Sequence, residues 1–150
     1  MTNPPSRELL CKLADAFGVA PEYWAYSGQL TAVPDSTLIK VLAAMGADAS
    51  SESAANEALR EVDVRPWREV LPECTVVPEG AERTVAVHLP HGAGVHVELE
   101  CEDGREISLV QAEDFTPPRE VDGRLTGQAS FTLPADLPLG YHRLKSSVSL

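Results

Sequence analysis

Three histidines form the densest group of candidate metal ligands in this 150-residue chain. His88, His91 and His96 lie on and beside the segment PHGAG at 90–94, which has the length and glycine content of a loop between two strands. A hairpin at that loop would set His88 directly opposite His96 on an outer face, with Cβ atoms about 5 Å apart. Two imidazoles at this distance suit Zn²⁺ or Ni²⁺. The sequence fixes no third ligand, so we predict no metal site and no cofactor.

Acidic side chains give a second candidate for chemistry. Glu98, Glu100 and Glu102 alternate along one predicted strand face, and Glu113 and Asp114 follow the next strand. Glycoside hydrolysis needs two carboxyl groups about 5–10 Å apart in a concave site, with one pKa raised by burial. The polar face of a twisted sheet is solvated and offers no such burial. Nucleophile elbows, phosphate-binding glycine loops and zinc-protease motifs are also missing from the sequence, so we predict no catalytic residue and no activity for these 150 residues alone.

Aromatic side chains could bind sugars. The segment PEYWAYSG at 21–28 holds Tyr23, Trp24 and Tyr26, and Trp67 is the second tryptophan. Such rings can stack on glucose units. Aromatic residues make up only 5% of the chain, so core packing of these rings is the favoured interpretation. Tyr23, Trp24 and Trp67 remain the candidate glucan contacts.

Charge and cysteine content restrict the partners and the compartment. The formal net charge is −11, from 12 basic and 23 acidic side chains, and it disfavours nucleic acid and anionic membranes as partners. The N-terminal residues lack the features of a secretory signal, and no apolar run is long enough for a membrane span. Cys11, Cys74 and Cys101 are an odd number without metal-ligand spacing, which indicates reduced thiols. We therefore expect a cytoplasmic location.

The first 70 residues have helical periodicity. Ser6 can cap a first helix that ends at Gly18, and a second helix starts at Asp35 or Ser36 and ends at Gly46. A third helix runs from about residue 51 to residue 62 with an inward stripe of alanines. The sequence thus predicts a three-helix subdomain over residues 1–70.

From residue 71 the pattern changes to short alternating segments separated by Gly, Pro and Asp. This pattern is typical of an immunoglobulin-like antiparallel β-sandwich, which we predict over residues 71–150 and which makes the fold class α+β. Tyr141 is predicted to occupy a tyrosine corner, with its hydroxyl group bonded back to the main chain. The predicted strands are 74–77, 83–89, 94–101, 105–112, 118–121, 124–133 and 141–149.

The loops suggest which strands pair. The PHGAG hairpin would pair Val87 with Val97, so that all apolar side chains of both strands share one face. For CEDGRE, a three-residue loop 102–104 with a left-handed Gly104 pairs Leu99 with Ile107, whereas a two-residue turn would put Ile107 on the polar face. We therefore predict the three-residue loop. EVDGRL at 120–125 predicts a further hairpin.

Six segments follow one another along the chain: LADAFGVAPEYWAYSGQL, STLIKVLAAMGADA, LREVDVRPWREVLPECTVV, HLPHG, REVDGRL and DLPLGYHRL. In their order and spacing they resemble the N-terminal region of bacterial 4-α-glucanotransferases, the MalQ-type amylomaltases of glycoside hydrolase family 77. The resemblance extends from about Leu9 to Leu144, and no single motif in it is diagnostic.

The resemblance implies that the chemistry lies elsewhere in a longer polypeptide. In that family a (β/α)₈ barrel carries an aspartate nucleophile and a glutamate acid/base, which transfer α-1,4-glucan segments between maltodextrins with retention. None of these catalytic positions has a counterpart here, which implies a fragment. We expect a non-catalytic accessory domain whose partner is the catalytic barrel of the same polypeptide. Two alternatives stay open: a carbohydrate-binding module for maltodextrin, and a domain that forms a homo-oligomer.

Overall fold

The computed structural model describes residues 3–149. The chain divides into two compact units between Val64 and Arg65. The domain boundary after residue 70 stays a prediction. No helix of residues 3–149 is long and apolar enough to cross a bilayer. The elements are α1 (Arg7–Ala16), β1 (Glu22–Trp24), β2 (Leu30–Ala32), α2 (Asp35–Ala44), α3 (Glu52–Arg68), β3 (Arg83–Pro90), β4 (Gly94–Glu100), β5 (Glu106–Ser108), β6 (Val110–Ala112), β7 (Arg119–Val121), β8 (Arg124–Leu133) and β9 (Arg143–Ser149).

The first unit is built around α1 and α2. The Ser6 hydroxyl accepts a hydrogen bond from the Leu9 amide at 3.3 Å, and Gly18 ends α1 in the left-handed conformation with φ +70°. Both caps confirm the prediction. α3 continues to Arg68 instead of ending near residue 62, even though Pro66 removes one backbone donor from its last turn. The buried core consists of Leu10, Leu13, Ala14, Leu38, Leu42, Ala47, Ala49 and Ala55.

The second unit is a β-sandwich of two antiparallel sheets. Together with the helices, it gives the chain the fold class α+β. One sheet has the order β3-β8-β6, with β7 also paired to β8, and the other has the order β5-β4-β9. The inner faces of the two sheets enclose an apolar core, because the apolar residues alternate with period two along each strand. The buried core residues are Val85, Val87, Leu89, Val97, Leu99, Cys101, Leu109, Ala129, Phe131 and Leu133.

The predicted pairing of β3 with β4 is wrong. β3 pairs with β8, so that Val87 lies opposite Ala129, while β4 pairs with β5 and β9. Val87 and Val97 both belong to the sandwich core, as the alternation requires. Alternation defines the face of a residue and not its partner strand, and the chain changes sheets in the connection 91–93 between β3 and β4.

The two glycine turns of the sandwich agree with the sequence. Gly104 is left-handed with φ +85°, and Leu99 pairs with Ile107 as predicted. Asp122 and Gly123, with φ +50° and +75°, form the two-residue turn between β7 and β8. The predicted strand 105–112 is interrupted, because β5 pairs with β4 whereas β6 pairs with β8. Residues 74–77 form no strand.

Candidate docking and binding surfaces

An exposed aromatic hairpin, residues 21–33, projects from the first unit. It consists of β1 and β2, which pair Tyr23 with Thr31 and Trp24 with Leu30, and the sequence analysis did not predict it. Tyr23 is 53% exposed, Trp24 is 72% exposed and Tyr26 is fully exposed. The prediction that Tyr23 and Trp24 pack in a core is therefore wrong. A small hydrophobic core made largely of leucine and alanine accounts for this outcome, since it is filled without them.

Arg7 holds both ends of the aromatic hairpin. Its guanidinium donates to the Pro21 carbonyl at 3.0 Å and to the Val33 carbonyl at 2.6 Å, and it forms an ion pair with Asp35 at 2.5 Å. The hydrogen bond to Asp35 raises the pKa of Arg7, whose guanidinium is charged at its ordinary pKa as well. A two-stranded hairpin is marginal by itself, and this arginine anchors it where it leaves the helices. The hairpin that carries the aromatic rings is therefore held to α1 at both of its ends.

Trp67, the third candidate glucan contact, has a different environment in the second unit. Its ring packs against the His88 imidazole with a centroid distance of 4.5 Å and an angle of 34° between the ring planes, and the Arg119 guanidinium lies 5.9 Å from the Trp67 ring centroid. His88 is only 8% exposed, and its amide donates to the Val70 carbonyl at 3.1 Å. Trp67 thus joins the C-terminal end of α3 to the outer face of β3.

A polar network continues from His88 across this sheet. His88 Nε2 lies 3.0 Å from Gln128 Oε1, and the Gln128 amide donates to Asp114 Oδ2 at 3.0 Å. Asp114 also accepts from the Ser130 hydroxyl at 2.6 Å and from the Thr116 amide at 2.9 Å. These bonds, with Ser130 contributing most, hold the pKa of Asp114 well below its usual range. Sequence reasoning missed this network, whose only signal was the polar alternation of β8.

The histidines do not form the predicted pair. His88 belongs to β3 and His96 to β4, and these strands lie in different sheets, so the predicted position of His96 opposite His88 is wrong. His96 instead lies 3.2 Å from Glu98 on its own strand. His91 donates its amide to the Leu125 carbonyl at 2.9 Å. Within residues 3–149, no group of three or more histidine, cysteine or acidic side chains is placed to hold a metal ion.

The carboxylates of β4, of β5 and of the turn between them are engaged in ion pairs and hydrogen bonds. Lys145 lies 3.0 Å from Glu100 and 3.3 Å from Glu106. The hydrogen bond from Lys145 lowers the pKa of Glu100, which is the opposite of what a general acid needs. Glu102 accepts a hydrogen bond from the Tyr141 amide at 3.0 Å. These acids therefore act as structural partners.

A cavity of about 370 Å³ opens at one end of the sandwich. Core side chains such as Leu99, Leu133 and Leu144 form part of its wall, and Tyr141 belongs to its lining. This volume falls within the range of small-ligand sites. The rest of the wall comes mainly from two segments without strands, 71–81 and 134–142.

The rim loop of this cavity, residues 137–142, is held by reciprocal hydrogen bonds. The Glu102 amide donates to His142 Nδ1 at 3.1 Å, and His142 Nε2 lies 2.8 Å from the Pro138 carbonyl. The Tyr141 side chain is 92% exposed and that of Leu139 is 75% exposed. The predicted tyrosine corner at Tyr141 is therefore wrong, because its ring points to solvent. The loop presents two apolar side chains on a fixed backbone.

Comparison with known proteins gives consistent matches. The family described as the MalQ N-terminal β-sandwich domain matches residues 70–149. The chain is 43% identical over 136 residues to the 4-α-glucanotransferases of Mycobacterium tuberculosis and Mycobacterium bovis, which covers 90% of this chain and 19% of each relative. The crystal structure of amylomaltase from Corynebacterium glutamicum superposes with a TM-score of 0.86 and 36% identity, covering 96% of this chain and 22% of that one. The chain thus spans about a fifth of the length of these relatives.

Proposed function

The chain belongs to the MalQ N-terminal β-sandwich domain family, and we propose that it is a non-catalytic accessory domain of a 4-α-glucanotransferase. The parent enzyme would transfer α-1,4-glucan segments between maltodextrins. One observation carries the proposal: the matched proteins named 4-α-glucanotransferase are about five times as long as this chain, which aligns with only 19% of them. The activity then resides in the remaining four-fifths of such a polypeptide.

The proposed role is to dock on the catalytic barrel of the same polypeptide and to support it. The rim loop supports this role, because Leu139 and Tyr141 expose most of their apolar surface while the hydrogen bonds of Glu102 and His142 fix the backbone. Aromatic anchors on preorganised loops contribute strongly to binding, since little conformational entropy is lost when they dock.

A binding experiment between separate polypeptides tests the docking. The 150-residue chain is titrated calorimetrically with a separately produced glucanotransferase catalytic region. We expect Leu139→Ala and Tyr141→Ala each to weaken binding about tenfold or more. Phe115→Ala is the matched control, because Phe115 is a sandwich residue outside the rim loop and is 89% exposed. Equal effects of all three substitutions would contradict docking through the rim loop.

The non-catalytic part of the proposal has a separate test. Purified chain is incubated with maltotriose, and the products are separated by chromatography. We expect no glucose or longer maltodextrin above the buffer control. Disproportionation by the chain alone, retained after a second purification, would refute an accessory role.

A second candidate function is maltodextrin binding at the aromatic hairpin. It is favoured by the exposure of Tyr23 and Trp24, since exposed rings can stack on the apolar faces of glucose units. Trp67 remains part of this proposal, although its half-buried ring already packs against the tilted His88 ring. The two tryptophans allow the sites to be separated: fluorescence of Trp67→Phe reports Trp24 alone, and fluorescence of Trp24→Phe reports Trp67 alone. A maltoheptaose titration that changes neither signal, with no calorimetric heat, would contradict glucan binding.

We also propose an immunoglobulin-like strand arrangement and a cytoplasmic location. Two antiparallel sheets around one core, with a chain segment that changes sheets between β5 and β6, support the first proposal. The second rests on Cys11, Cys74 and Cys101, all of which are free thiols.

A further inference from the structure

His142 closes the rim loop through both of its ring nitrogens. Nδ1 accepts a hydrogen bond from the Glu102 amide at 3.1 Å, and Nε2 lies 2.8 Å from the Pro138 carbonyl oxygen. A backbone amide can only donate a hydrogen bond, and a carbonyl oxygen can only accept one. These two partners therefore assign the proton of the neutral ring to Nε2 and leave Nδ1 with its lone pair.

Glu102 binds the same loop a second time. Its carboxylate accepts a hydrogen bond from the Tyr141 amide at 3.0 Å. Gly140 lies against both groups, because a Cβ atom at this position would collide with Glu102 Oε2 and would contact His142 Cε1. The rim loop thus packs directly on the turn between β4 and β5. We call the hydrogen bonds that join His142 to Glu102 and Pro138 the His142 latch.

A second proton on the ring is incompatible with the His142 latch. Protonation converts Nδ1 from an acceptor into a donor, which then faces the N–H group of Glu102. Two donors cannot share a hydrogen bond, and this amide is exposed, so water replaces the ring as its partner. Histidine is the side chain whose ordinary titration falls between pH 5 and pH 8. The His142 latch therefore depends on the protonation state of one ring.

Carboxylates near the ring offer other partners to its protonated form. Glu102 and Asp103 both belong to the turn between β4 and β5, and Asp103 forms an ion pair with Arg105 at 2.8 Å. The Arg105 amide contributes most to the lowered pKa of Asp103, and the charge of a protonated His142 lowers it further. An imidazolium at position 142 is thus attracted to the acids of this turn. The other titratable and charged groups on the segments around the ring are Glu73, Cys74, Glu79, Glu100, Cys101, Asp136, Tyr141, Arg143 and Lys145.

We propose that His142 is a pH-sensitive latch, whose neutral ring holds the rim loop on Glu102 and whose protonation at Nδ1 releases that loop. The only chemical change is the gain of one proton from solvent. Release frees Leu139 and Tyr141, which the rim loop carries, together with one wall of the cavity of about 370 Å³. The switch acts within one chain and needs no partner, so this proposal and docking on a catalytic barrel can fail independently.

Nuclear magnetic resonance of the 150-residue chain tests the tautomer and the release together. Long-range ¹H–¹⁵N spectra show which ring nitrogen carries the proton, and we expect Nε2–H with an unprotonated Nδ1 at about pH 8. As the pH falls to about 5, the His142 ring should become doubly protonated. The heteronuclear NOE of the rim-loop amides should then fall with the same midpoint, because the loop becomes mobile.

Three results of this titration would overturn the proposal. The first is a proton on His142 Nδ1 at the high-pH end. The second is a His142 ring that does not titrate in this range. The third is a rim loop that keeps its order while the ring titrates.

Substitutions separate the His142 latch from a general effect of acid. His142→Asn offers the Glu102 amide an oxygen acceptor that gains no proton in this range, so the order of the rim loop should not change with pH. His96→Gln is the matched control, because it removes another exposed histidine, which lies 3.2 Å from Glu98 on β4. It should leave the response unchanged, and circular dichroism checks the fold of both variants. A loop that still loses order in acid in His142→Asn, or a response abolished by His96→Gln, would overturn the assignment to His142.

Discussion

Asp114 gives the most direct test of how the sandwich is held together outside its apolar core. Its carboxylate joins three parts of the sheet surface, because it accepts hydrogen bonds from Ser130 at 2.6 Å, Gln128 at 3.0 Å and the Thr116 amide at 2.9 Å. The substitution Asp114→Asn keeps the size and removes the charge. The nitrogen of the new amide group then faces the Gln128 amide group, which also donates there, and Gln128 can turn over only if the His88 imidazole changes its tautomer.

The magnitude follows from the two side-chain bonds. A hydrogen bond to a charged group contributes about 1.5–3 kcal/mol, and access of solvent to half-buried Asp114 reduces this to about 0.5–1 kcal/mol for each bond. We therefore expect Asp114→Asn to lower the free energy of unfolding by about 1–2 kcal/mol at pH 7. With a urea m-value of about 1–2 kcal/mol/M for a domain of this size, the midpoint shifts by about 1 M.

The pH dependence has a defined sign. The pKa of Asp114 is lower in the folded chain than its ordinary value of 3.8, so the unfolded state binds the proton more readily. The stabilisation is complete above about pH 5 and is lost as the pH falls below 3.8 towards the folded pKa. The difference between wild type and Asp114→Asn should therefore shrink as the pH falls.

Urea titrations with Trp67 fluorescence measure this difference in the sandwich alone if Trp24→Phe is the common background. Glu113→Gln is the matched control, since it removes a neighbouring exposed carboxylate and should change stability by less than about 0.5 kcal/mol. The reasoning is refuted if Asp114→Asn has the wild-type midpoint at pH 7, or if its deficit is equally large at pH 7 and pH 3.

Three further predictions concern the two units. Leu38→Ala should destabilise the helical unit by about 2–5 kcal/mol because Leu38 is fully buried. Thermal unfolding followed by Trp24 fluorescence in a Trp67→Phe background measures this loss of stability, and Leu30→Ala, at an exposed position, is the control. Gly123→Ala should cost about 1 kcal/mol in urea unfolding because the residue has φ +75°, and an unchanged midpoint would argue against the two-residue turn. A truncated chain 71–150 should fold into a β domain by circular dichroism but unfold at lower temperature than 65–150, which keeps the contacts of Trp67 and Val70; a random-coil spectrum of 71–150 would refute the predicted boundary.

Local signals in the sequence predicted local structure well. Ser6 and Gly18 were identified as helix caps because capping depends on residues within one turn of the helix. The three-residue loop before Ile107 was also correct, because only that register buries Ile107 beside Leu99. The family was recognised from the order of such local segments, and the match over residues 70–149 confirms it.

Long-range partners were predicted less well. Val87 and Val97 were correctly assigned to one core, but alternation does not say whether two apolar faces meet within a sheet or across a sandwich. The scarcity of aromatic residues predicts Trp24 in a core, yet the position of Trp24 depends on the Arg7 anchor, which contacts Pro21 and Val33 far along the chain. The network of Asp114 likewise joins residues that only the folded sheet brings together.

Strands that follow one another along the chain often lie in different sheets, and this arrangement affects how the chain folds. The longest ladders pair β3 with β8 and β4 with β9, so each joins segments separated by most of the sandwich sequence. Loop-closure entropy must be overcome before these ladders contribute stability, which slows folding. The β4–β5 and β7–β8 turns can close early, whereas β3 has no β-strand partner until β8 has been synthesised. During synthesis the apolar side chains of β3 therefore stay exposed in an unpaired strand. Chaperones recognise such segments, which aggregate when chaperones are scarce.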